Sequence, residues 1–163
     1  GNPANQPMQK AYRIDQQLVN PLGSLPPAIA TSPASLAQRN LLRGLRLGLP
    51  SGQTVARAMD VHPLKDDDLR VGPRDEPQKK LTEFGSDFRH NAPLWYYILR
   101  EAEVFHEGNQ LGPVGGRIVA EVFIGLLAND KMSYQSIDPQ WKPELANAKG
   151  TFSMVDLIKF ATS

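Results

Sequence analysis

The stretch "LGPVGGRIVAEVFIGLLAND", residues 111–130, constrains this chain more than any other. Pro113 fits the first position of a helix, and apolar residues then recur at almost every position instead of along one stripe. A helix that is apolar all round is expected to be central and covered on every side. The rest of the chain must therefore supply covering layers. A compact fold of 163 residues buries roughly 68–70% of its extended-chain surface, so a sizeable core needs no covalent staples.

There are none to use, because cysteine is absent. Disulfides, thiolate nucleophiles and Cys-based zinc or iron–sulfur sites are excluded together. The formal net charge is +1 and no segment is persistently basic, which argues against a nucleic-acid partner. No apolar run approaches the roughly 20 residues that span a bilayer, and no signal-peptide pattern opens the chain. A start at Gly1, not Met, is expected of a chain that is processed, tagged or cut from something longer.

The remaining pattern is helical. "GNPANQPMQK", residues 1–10, has no apolar period and is expected to be an extended or disordered lead-in. A short helix is expected from Tyr12 to Val19, stopped by Pro21 and Gly23. The next is expected to be capped by Ser32, with Pro33 in its first turn, and to close at Gly48 and Pro50. Ser51 is placed to cap a second helix almost at once. Residues 60–92 hold few apolar side chains, four charge clusters and three prolines, and are expected to form a long, mostly solvated connection. "PLWYYILREAEVFHEG" places Leu94, Ile98, Ala102 and Phe105 at helical spacing. A last amphipathic helix, within "TFSMVDLIKFA", has Ser153 and Asp156 at capping-box spacing. With no strand alternation and no internal repeat, the fold class is mainly α.

Few residues suggest chemistry by spacing alone. His62, His90 and His106 lack partners at metal-site spacing. The acidic run Asp66–Asp68 suits a solvated first turn of a helix better than an alternating calcium loop. "GPVGG" has neither a preceding strand nor dinucleotide-binding spacing. "QRNLLRGLRLGLP", residues 38–50, is more unusual: Arg39, Arg43 and Arg46 fall on one side of a leucine-rich helix. A solvated face accounts for that stripe, and so does an anionic ligand, since a guanidinium fork matches a carboxylate.

Five phrases in order carry a family resemblance: "YRIDQQLVNPLGSLP", "LAQRNLLRGLRLGLPSGQTVARAM", "PLWYYILREAEV", "LGPVGGRIVAEVFIGLLANDKMSY" and "GTFSMVDLIKFA". Together they resemble the C-terminal part of the catalytic domain of the animal-type heme peroxidase superfamily, in its bacterial branch. The resemblance spans nearly the whole chain and treats residues 1–163 as one part of a single domain. It implies a helical fold around heme, reduction of hydrogen peroxide with oxidation of an organic or halide donor, and an extracellular or cell-envelope location. It further implies that Asn40 supports the proximal histidine and that Arg43 lies near a heme propionate, both cofactor-binding roles.

The family's distal histidine, catalytic arginine, calcium loop and proximal histidine all precede a segment like "YRIDQQLVNPL". The resemblance thus implies no catalytic residue and no metal ligand in this chain, with heme shared with an N-terminal part and any calcium in that part. The chain alone is not expected to be a working peroxidase. It is a piece of a nicked enzyme, a chain covering part of a domain, or a diverged remnant acting as a non-catalytic helical interaction or scaffolding module.

Overall fold

The structure is a computed structural model and describes residues 12–18, 22–30, 32–146 and 150–163. It is mainly helical. The 1–10 lead-in, Val19 and Pro21 lie outside the described residues, and residues 12–18 hold a bend over 14–16, not the expected helix. The α-helices are α1 (Leu36–Arg46), α2 (Gly52–Ala58), α3 (Leu94–His106), α4 (Pro113–Asn129), α5 (Tyr134–Ile137) and α6 (Met154–Thr162). The chain divides into two compact units, residues 1–118 and 119–163, with the boundary inside α4.

In the first unit, α1 and α2 each pack on α3. The α1 helix starts three residues later than the Ser32 reading: Ser35 is the cap, its hydroxyl accepting from the Gln38 N–H. The reason is local pairing. The Ala34 carbonyl accepts from the Leu25 N–H, and the Leu36 N–H donates to the Leu22 carbonyl, which engages residues 34 and 36 before the helix begins. At its far end Gly48 has φ +62. The Gly48 N–H meets the Leu45 carbonyl and the Leu49 N–H meets the Gly44 carbonyl, the two bonds of a Schellman motif. Ser51 caps α2 as the sequence suggests, accepting from the Thr54 N–H at 3.2 Å.

The core is centred on Tyr97, with Ala56, Leu64, Leu69, Leu81, Ala92 and Val114 around it. Three of these, with Ala92 the fourth, come from the supposedly solvated 60–92 connection. That segment is an anchored excursion, because its widely spaced apolar side chains each reach α3 or its surroundings. It also holds a two-stranded antiparallel ribbon, β1 (Arg70–Val71) with β2 (Lys79–Lys80), in the register Arg70↔Lys80 and Val71↔Lys79. Two 3-10 turns follow, Leu81–Phe84 and Ser86–Phe88. Alternation was invisible in strands of two residues. The acidic run forms a turn and not a helix start: Asp66 accepts from the His90 N–H, Asp67 pairs with Lys80, and Asp68 accepts from the Lys65 N–H.

The α3 helix buries Tyr96, Tyr97, Glu101, Ala102 and Glu103, while Phe105 is exposed. The buried face is therefore rotated from the Leu94–Phe105 stripe and includes two carboxylates. The α4 helix is central only at its start, where Val114 and Gly115 are buried and Ile118 packs against the core. Beyond it, Val122, Phe123, Ile124 and Leu126 are all more than half exposed, with Phe123 at 64%.

Within the second unit, Ser133 caps α5 and also donates to the Leu127 carbonyl. The rings of Tyr134 and Trp141 meet edge-on at 5.2 Å. The α6 helix has the capping box expected of Ser153 and Asp156.

Candidate functional site

The α1 helix presents two different flanks. On one, Asn40, Leu41, Gly44 and Leu45 face Phe88, Pro93, Leu94 and Trp95 across a cavity of about 400 Å³. Its wall is largely apolar, in a size range typical of ligand sites. Gln38, Asn40 and Asn91 bring amide groups to it. The Asn91 amide donates to the Asp87 carbonyl at 3.1 Å, whereas among the described residues the Gln38 and Asn40 side chains make no hydrogen bond. On the other flank, Arg39, Arg43 and Arg46 line a concavity of about 360 Å³ with Ser32, Pro33, Leu42 and Leu47.

The sequence places Asn40 and Arg43 three residues apart, and the structure brings them to adjacent sides of one helix but into separate concavities. No histidine lines either one. His62 lies near Arg57 and Asp60, His90 contacts Asp66 at 3.2 Å, and His106 contacts Gln110. Among the described residues no group of three His, Cys, Asp or Glu side chains is arranged to hold a metal ion, and no helix is long and apolar enough to cross a membrane.

The cavity's rear wall is fixed by α2 and α3. The Gly52 N–H donates to the Ala92 carbonyl and the Gln53 side-chain carbonyl accepts from the Ala92 N–H, both at 2.9 Å, which pins the entry to α3. The Tyr97 hydroxyl accepts from the Leu64 N–H at 3.0 Å, and burial pushes that phenol upward.

Two buried glutamates on α3 are the polar residues that sequence reasoning missed. Glu101 accepts from the Val114 N–H at 2.9 Å and the Gly115 N–H at 3.1 Å, capping α4 from a neighbouring helix. Burial raises its carboxyl, and those N–H groups offset only part of the effect. A signal was available: α4 opens on Leu-Gly-Pro with no Ser, Thr, Asp or Asn to satisfy its first N–H groups, so an outside acceptor was needed. Glu103 instead meets Arg74 at 2.6 Å and Arg100 at 2.7 Å. Burial alone would raise it as well, but the two guanidinium groups outweigh burial and hold it below its ordinary value. This cluster ties the ribbon to α3, with Tyr96 donating to the Arg70 carbonyl.

Compared with known protein families, curated proteins and solved structures, the chain matches none.

Proposed function

We propose that this chain is part of a heme-dependent peroxidase that reduces hydrogen peroxide while oxidising an organic or halide donor, acting outside the cell or in its envelope. Its share is support of the proximal side, together with an N-terminal part. The observation that carries the reading is Asn40: an amide without a partner among the described residues, at the wall of an apolar cavity, on the helix that bears the family-like motif. Asn40 is half-buried, so its amide is open to an incoming hydrogen-bonding group without first breaking a bond within the chain.

Asn40 and Arg43 lie in separate concavities and neither is an iron ligand, so this chain would hold heme only through groups around it. Asn40 offers a neutral amide to a histidine from the other part, fixing its ring while adding less negative character than a carboxylate would. Arg43 offers an unpaired guanidinium to a propionate. Heme, when bound, supplies the redox chemistry; this chain's residues orient, pair charge and exclude water. The exposed apolar sides of α4 and α6, including Phe123 and Phe160, support a protein partner.

That last feature also favours a second reading, a non-catalytic helical module that binds protein without heme. Titrating heme into the chain mixed with the N-terminal part separates them. The peroxidase reading expects a Soret band and peroxide-dependent donor oxidation from the complex and neither from the chain alone. A complex that forms and takes up no heme overturns it in favour of the module.

A further inference from the structure

Between Gln16 and Met59 the sequence holds four arginines, no lysine and no acidic residue. The whole chain carries +1, so the residues outside this segment carry −3. Positive charge is therefore concentrated where α1 lies. Three of the four arginines, Arg39, Arg43 and Arg46, line the same concavity, and among the described residues none of their guanidinium groups is in a hydrogen bond or ion pair.

Helix physics does not explain this arrangement. Arg43 and Arg46 sit in the last turn, where the macrodipole favours cations. Arg39 sits in the first turn, where the dipole opposes it, and it stands four residues before a like charge, which costs a few tenths of a kcal/mol. No acidic residue occurs in α1 to relieve it. Pro33, Leu42 and Leu47 give the same concavity an apolar lining, and Ser32 adds a hydroxyl. From Arg39 to Arg46 the helix advances about 10 Å, so the stripe spans more than one anionic group.

We infer that this flank of α1 is a binding site for a small organic dianion, a phosphate ester or a dicarboxylate, gripped by Arg39, Arg43 and Arg46 in a concavity with an apolar lining. Guanidinium forks pair bidentately with both kinds of oxyanion, and the apolar lining takes the carbon skeleton. The concavity is separate from the one Asn40 lines; it shares Arg43 with the heme reading, adds Arg39 and Arg46, to which that reading gives no role, and is tested without heme.

Calorimetric titration of the 163-residue chain with pyrophosphate and with succinate tests the inference. Saturable one-to-one binding of either probe is expected, and the tighter probe identifies a phosphoryl or a carboxylate ligand. Each guanidinium lost should weaken binding by roughly tenfold, so the double variant Arg39→Gln/Arg46→Gln should lose nearly all of it. Arg57→Gln, on an exposed arginine of α2, should bind as the parent does. If the double variant fails to fold, Arg39→Lys/Arg46→Lys keeps the charge, loses the fork and should still bind more weakly than the parent. No saturable binding of either probe, or equal weakening by Arg57→Gln, overturns the site.

Discussion

Replacing Gly52 with alanine should drive α2 away from α3. A Cβ at this position would lie 1.9 Å from Tyr97 Cγ and 2.2 Å from Tyr97 Cβ. Ordinary carbon contact is about 3.5 Å, so relief requires a separation of roughly 1.5 Å. Tyr97 cannot simply swing aside, because it is fully buried and its hydroxyl holds the Leu64 N–H. Overpacking of this kind costs about 1–3 kcal/mol, and loss of the Tyr97–Leu64 bond adds about 0.5–1.5 kcal/mol. For a chain of this size about 2–4 kcal/mol lowers the melting temperature by roughly 5–15 °C. Thermal unfolding followed by circular dichroism measures it, with Gly125→Ala as the reference substitution. Gly125 is also helical, but nothing lies within 4 Å of its added Cβ, so alanine there should stabilise by about 0.5–1 kcal/mol. If Gly52→Ala melts with the parent, the close packing of α2 on Tyr97 is wrong.

The two buried glutamates should respond oppositely to pH. Glu103 is held below its ordinary value of 4.5, so its contribution is present above that value and is lost as pH falls through the lowered one. Glu101 is raised above 4.5, so its contribution is complete below that value and is lost as pH rises through the raised one. Denaturant unfolding across roughly pH 3 to 8 should show Glu103→Gln flattening the acid side of the profile and Glu101→Gln flattening the side above it; identical profiles would contradict both assignments. Ser153→Ala removes the cap of α6 and should cost about 0.5–2 kcal/mol, read as faster amide exchange over residues 154–162. Unchanged exchange there would show that the capping box does not hold the helix.

Helices whose ends are written locally were legible in the sequence. Ser51, Ser153 with Asp156, Gly48 and Pro113 each act within a few residues, and each element bounded by them is present. What depends on distant partners was not legible. The start of α1 is set by pairing with residues 22 and 25, and the buried side of α3 by contacts to Leu64, Arg74 and the first turn of α4. The 60–92 segment misled because single leucines in polar surroundings carry no period, although Leu64, Leu69 and Leu81 are core residues. At the candidate site, the sequence divided the basic stripe by motif, and the structure divides it by flank. Asn40 lines the apolar cavity, and Arg43 lines a separate concavity with Arg39 and Arg46.

The central claim is that the Asn40 amide supports a histidine supplied by another part of a heme enzyme. The reduction potential of the assembled enzyme carrying Asn40→Asp tests it most directly. A carboxylate in place of the amide adds negative character to the histidine, so the account predicts a lower potential with heme retained. A potential equal to that of the parent would contradict it.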